Sequence, residues 1–127
     1  MSNVLVVDDL QSELQLISGF LSQGGYQVAT AINGADALEK ARASTPDVIV
    51  TDLVMPDMSG LELCRKLKKS PATAGIPVIA CTTPVIACTT KDSQVDQAWA
   101  KKQGIVAYLI KPCSQEQLLD AVKVAAS

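Results

Sequence analysis

Apolar residues fall along this chain in two alternating patterns. Val4-Leu5-Val6-Val7, Val48-Ile49-Val50-Thr51 and Tyr108-Leu109-Ile110 are short, β-rich runs without polar alternation. That is the pattern of strands buried on both faces. Between such runs apolar residues recur at helical spacing. Leu10, Leu14, Ile17 and Leu21 predict a first helix, closed by Gly24-Gly25 as a left-handed cap. Tyr26 to Ala29 reads as a short strand. Asn33-Gly34 turns the chain into an Ala-rich helix that points Ala37, Leu38 and Ala41 inward and closes at Ser44-Thr45-Pro46.

The strand from Asp47 to Thr51 is followed by a loop from Val54 to Gly60. A third helix follows, carrying Leu61, Cys64 and Leu67 and stopping before Ser70-Pro71. A fourth helix carries Val95, Ala98 and Trp99 and ends at Gly104, and Val106 to Ile110 is the last strand. Ser114-x-x-Gln117 is a capping box that opens a fifth helix through Leu118, Leu119 and Val122. Strands that alternate with helices in this way predict an α/β domain with a parallel sheet.

One stretch interrupts the alternation. Pro77-Val78-Ile79-Ala80-Cys81-Thr82-Thr83 is followed at once by an identical Pro84-Val85-Ile86-Ala87-Cys88-Thr89-Thr90. Parallel neighbours need a crossover of roughly a dozen residues, so the copies are not adjacent strands. Pro84 has no N–H for a ladder, so they are not one long central strand. Thr82-Thr83 lacks the turn chemistry of a hairpin. Only one copy can therefore be the fourth strand.

Composition narrows the function. The 127 residues suit one domain, residues 1–127, with no output domain expected. The net charge of −2 comes without a basic stripe, which argues against nucleic-acid binding. No apolar stretch has the length of a membrane span, and the first strand begins too early for a signal peptide, so the expected location is the cytoplasm. Cys64, Cys81, Cys88 and Cys113 show no Cys-x-x-Cys spacing, and the chain has no histidine. Zinc binding and His-assisted nucleophiles are thereby disfavoured, and the cysteines read as small buried hydrophobes.

The chemistry sits where the buried runs end. The first run stops at Asp8-Asp9, the central one at Asp52, and the last at Lys111-Pro112. In an open parallel sheet the carboxyl ends of the strands meet in one crevice, where ligands bind. Three carboxylates and one ammonium are thus expected in one small volume. Their mutual repulsion calls for a divalent cation, and the set suits phosphoryl transfer onto a carboxylate. Taken singly, each residue has a plainer reading: Asp8-Asp9 as a helix cap, Asp52 as a turn residue, Lys111 as a surface lysine.

Taken together and in this order, the acidic pair, the lone aspartate, the strand-end threonine and the Lys-Pro pair resemble a response-regulator receiver domain of the CheY type. Further along, Thr89-Thr90-Lys91-Asp92, Trp99, Gln103-Gly104 and Tyr108-Leu109-Ile110-Lys111-Pro112 resemble the PilH-like regulators of type IV pilus twitching motility. The resemblance implies a flavodoxin-like (βα)5 fold with a doubly wound, five-stranded parallel sheet in the order 2-1-3-4-5. It implies Asp52 as phosphoacceptor and Mg²⁺ held by Asp9, Asp52 and the backbone carbonyl of Val54, with Asp8 acting through a water. Lys111 would pair with the phosphoryl oxygens across a Lys111-Pro112 cis peptide, and Tyr108 would be the switch residue. A threonine ends the fourth strand in this family. Spacing to Lys111 favours Thr89, whereas spacing back to Asp52 fits Thr82 if the first copy is the strand.

The implied function is a single-domain response regulator of a two-component phosphorelay. It would take phosphate from a histidine kinase or phosphotransfer domain and signal by binding a target protein, in pilus-based motility, chemotaxis or phototaxis. The target face would be formed by the fourth helix, fifth strand and fifth helix. Beyond Mg²⁺-dependent self-phosphorylation and autodephosphorylation no enzyme activity is expected. A haloacid-dehalogenase-like phosphatase is the first rival, but it needs an acid where this chain has Val54. The second is a phosphorylation-independent scaffold, which usually loses one of the site residues that are all present here.

Overall fold

A computed structural model describes residues 2–52, 58–82, 105–110 and 114–126. Five strands, β1 (Asn3–Val7), β2 (Gln27–Ala31), β3 (Val48–Asp52), β4 (Val78–Thr82) and β5 (Ile105–Ile110), form one sheet. All neighbours are parallel, and the order is β2-β1-β3-β4-β5, as the resemblance implies. The helices among the described residues are α1 (Gln11–Gln23), α2 (Gly34–Ser44), α3 (Gly60–Lys69) and α4 (Gln115–Ala126). The last of these is the fifth helix of the sequence pattern. The fourth, with Val95, Ala98 and Trp99, lies outside the described residues.

Successive side chains of a strand point to opposite faces, so an unbroken apolar run feeds two cores at once. Leu5, Val7, Ile49, Val78 and Ala80 pack with α2 and α3 through Ala37, Leu38, Ala41, Leu63, Cys64 and Leu67. Val4, Val6, Val48, Val50, Ile79 and Cys81 pack with α1 and α4 through Leu14, Ile17, Leu21, Leu118 and Val122. The sheet is doubly wound for this reason.

The helix ends follow local chemistry. After α1 the N–H of Gly25 donates to the Ser22 carbonyl and that of Tyr26 to the Leu21 carbonyl, both at 3.1 Å, while Gly25 takes φ +91°. This is the Schellman arrangement that the paired glycines predict. Asn33 caps α2, accepting from the Asp36 N–H at 2.8 Å, and Ser59 caps α3 through the Glu62 N–H at 3.1 Å. The capping box before α4 is reciprocal: the Gln117 N–H donates to Ser114 Oγ at 3.1 Å and the Ser114 N–H to Gln117 Oε1 at 3.0 Å.

Three expectations need correction. Tyr26 is not in the second strand; its N–H is held by the cap of α1, and pairing of Val7 with Ala31 carries β2 on to Ala31. Leu10 is not on the buried stripe of α1. It is the N-cap residue, with extended backbone, and is 54% exposed. Most consequential, the fourth strand is the first copy of the repeat, not the copy that contains Thr89. Ile79 pairs with Val50 and Cys81 with Asp52, and the Pro77 carbonyl accepts from the Ile49 N–H at 3.0 Å. The physical reason is at the entry: Ile76 packs against the core directly before Pro77, whereas Thr83 stands before the second copy. Thr89 itself lies outside the described residues.

Removal of an N-cap side chain that accepts a backbone N–H costs about 1 kcal/mol. Asn33→Ala should therefore lower the unfolding free energy by about that amount, with an unchanged denaturant slope in urea titration followed by circular dichroism.

Candidate functional site

The acidic residues converge because β1 and β3 are in register, with Val7 opposite Thr51. Asp8, one residue past β1, and Asp52, the last residue of β3, therefore reach the carboxyl edge of the sheet side by side. The β1–β2 interaction continues past the strand through an Asp8 N–H bond to the Ala31 carbonyl at 3.1 Å. Asp8 Oδ1 accepts the Leu10 N–H at 3.0 Å, which turns the chain sharply into α1 and leaves Asp9 on the exposed rim.

A carboxylate oxygen of each of Asp8, Asp9 and Asp52 lies within 4.8 Å of the others. Their surroundings differ. Asp8 is 1% exposed and Asp52 9%, while Asp9 is open to solvent. Thr51 is buried and its hydroxyl donates to the Asp52 carbonyl at 3.0 Å, which fixes the backbone at the strand end. Like charges at this spacing repel by about 1 kcal/mol per pair even in bulk water, and more beside a low-dielectric core. Three hard oxygen donors in this arrangement fit Mg²⁺, which favours carboxylate oxygens and retains waters.

The other strands end at the same edge. Cys81 pairs with Asp52, so Thr82 stands one residue beyond it, and Thr82 pairs with Ile110 at the end of β5. Tyr108 pairs with Ala80 inside the sheet. Val54, Thr89, Lys111 and Pro112 lie outside the described residues, and with them the expected carbonyl ligand, ammonium and cis peptide. The groups that a reading of side chains misses are in the backbone: the Ala31 carbonyl and the Leu10 N–H hold Asp8 in place. The Leu10 N–H bond is a local turn that an aspartate two residues earlier signals, whereas the Ala31 carbonyl has no residue-type signature and only the strand register could have pointed to it.

The described cysteines have no part in this chemistry. Cys64 and Cys81 are both free and buried. Burial pushes the Cys64 thiol up to about 12, and Lys68 nearby offsets this only in part. It is a neutral packing group, as the spacing of the cysteines suggests. Among the described residues no helix is long and apolar enough to cross a membrane.

The response regulator receiver domain family matches residues 4–123. Protein PilH of Pseudomonas aeruginosa is 39% identical over 96% of this chain and 95% of its own length. Protein PilG of the same organism is 36% identical over 94% of this chain and 84% of its own. Among solved structures, the chemotaxis protein CheY4 of Vibrio cholerae superimposes with a TM-score of 0.83 at 32% identity, covering 98% of each chain. With the acidic cluster at the carboxyl ends of β1 and β3, these likenesses identify the chain as a member of the response regulator receiver domain family.

Proposed function

We propose that Asp52 is the phosphoacceptor of a phosphorylation-controlled binding switch. The chain is homologous to PilH, PilG and CheY-like single-domain response regulators of two-component signalling. Receiver domains accept phosphoryl groups, bind Mg²⁺ at an acidic pocket, and interact with histidine kinases and downstream targets. The observation that carries the assignment here is the convergence of three carboxylates at one sheet edge.

Asp52 is the one of the three suited to attack. Asp8 is more deeply buried and already holds the Leu10 N–H, and Asp9 sits on the open rim. Asp52 ends the central strand, partly desolvated yet still reachable. Its carboxylate oxygen would attack phosphorus in a phosphohistidine of the kinase or phosphotransfer domain. A P–O bond forms, the P–N bond breaks, and its electron pair leaves with the imidazole. A carboxylate is a weak nucleophile, so positioning and charge neutralisation supply most of the rate.

Bound Mg²⁺ would neutralise developing charge on the phosphoryl oxygens. Asp9, Asp52 and the Val54 carbonyl are its proposed ligands, with Asp8 acting through a water. Lys111 would pair with a phosphoryl oxygen. Because β4 ends at Thr82, its hydroxyl, rather than that of Thr89, is the proposed donor to the phosphate. Tyr108 would follow that threonine inward and alter the target face beside β5 and α4. Phosphorylation adds roughly one to two negative charges to this edge, a local change able to bias such a two-state element. The likeness to PilH supports a role in pilus-based motility, and the cytoplasm is the proposed location.

Incubation with a small phosphodonor and Mg²⁺ should add one acid-stable, base-labile phosphate, read by intact mass. Asp52→Asn should carry none; a modified Asp52→Asn protein refutes the acceptor assignment.

Mg²⁺ at about a hundred times its Kd should stabilise the fold by about 2.7 kcal/mol. Asp9→Ala should raise the melting temperature of the metal-free protein by relieving repulsion and remove the response to Mg²⁺. Thermal melts across a Mg²⁺ titration of both proteins check this.

A further inference from the structure

Of the duplicated heptapeptide only Thr82 enters the chemistry above, and the duplication itself has no part in it. Residues 77–83 and 84–90 carry the same seven side chains in the same order. What the fourth strand must supply is set by the described residues around it. Val78 and Ala80 fill the layer with α2 and α3, Ile79 and Cys81 fill the layer with α1 and α4, and the Pro77 carbonyl accepts from Ile49. In sequence, Val85, Ala87, Ile86, Cys88 and Pro84 meet each of these requirements in turn. We propose that the two copies are interchangeable occupants of the fourth-strand position.

A slip of one residue would turn a strand's faces over and bury the wrong side chains. A slip of one whole repeat leaves every buried side chain of the strand the same. It changes only the two connections. The segment before the strand grows from residues 70–77 to residues 70–84, and the one after it shrinks from residues 83–104 to residues 90–104. Loop closure depends only logarithmically on length, so the two changes nearly cancel.

The preference between registers is set at the borders of the repeat. The first copy is preceded by Ile76, which packs against the core, and the second by Thr83. That one apolar contact favours the first copy, the register observed. The Thr73 bond to the Leu67 carbonyl, which closes α3, precedes both copies and is compatible with either. Since β4 lies between β3 and β5, exchange requires it to leave two ladders. The choice is therefore made during folding or by sub-global opening. The strand ends at Thr82 in one register and at Thr89 in the other. The exchange itself does not depend on the phosphoacceptor reading.

A buried charge in one copy tests the exchange through folding alone, independently of phosphorylation. Ile79 is 0% exposed, so Ile79→Asp puts a carboxylate at the centre of the sheet unless the second copy replaces the first. Ile79→Asp should still melt cooperatively, with Tm lowered by about 5 °C, the order expected for loss of one small apolar contact. Its Cys81, 1% exposed in the native strand, should become reactive to N-ethylmaleimide by peptide mapping. Ile86→Asp should melt as the parent does, and Ile79→Asp combined with Ile86→Asp should not fold. Unfolding of Ile79→Asp alone overturns the proposal. So does folding of the double variant, since the strand position would then accept aspartate directly, and so does continued protection of Cys81 in a folded Ile79→Asp protein.

Discussion

The parallel register that sets Val7 opposite Thr51 is the constraint on which this molecule depends. It makes two acidic strand ends coincide, and no local signal in either segment would do so alone. The repulsion it creates is carried by the rest of the fold. Val4 to Val7 and Val48 to Val50 are all at or below 1% exposed, buried between two helical layers. Slippage of either strand would cost far more in lost burial than the charges gain by separating. A rigid sheet thus holds together an arrangement of charges that a looser fold would disperse.

The sheet also explains why the loops at its carboxyl edge are so economical. Asp8 is fixed by two backbone partners, one from the edge strand and one from its own turn. Neither requires a dedicated side chain, so the acidic pair can sit in a short connection between β1 and α1. Backbone donors and acceptors left over at strand ends do the positioning, and side chains remain available for ligands.

Much of this was legible in the sequence, for identifiable reasons. Continuous β-branched runs announced strands buried on both faces, and the glycine pair, Asn33 and the Ser114–Gln117 box marked helix ends through chemistry that is local. Asp8, Asp9 and Asp52 could be grouped because the carboxyl ends of parallel strands share one edge. Legibility failed where a choice was not local. Two identical heptapeptides have identical propensities, so no property of either could identify the strand; the Ile76 contact before the first copy did. Leu10 fitted a helical stripe by spacing, yet its extended backbone at the start of α1 turned it outward. Tyr26 had the right composition for a strand, and the cap hydrogen bond from its N–H held it out.

The turn before α2 has a consequence for how the protein ages. A Cβ added to Gly34 would lie 2.2 Å from Cγ of Met58, so a larger residue there must displace that side chain. The close approach favours glycine at this position, and Gly34 with Asn33 before it forms the dipeptide most prone to deamidation when the glycine nitrogen is free to attack the asparagine side chain. Here Gly34 is already helical, and Asn33 is extended at φ −157° with its side-chain oxygen engaged by the Asp36 N–H. Attack would require both to be undone together. The hydrogen bond that starts the helix thus also protects the Asn33-Gly34 bond from that attack.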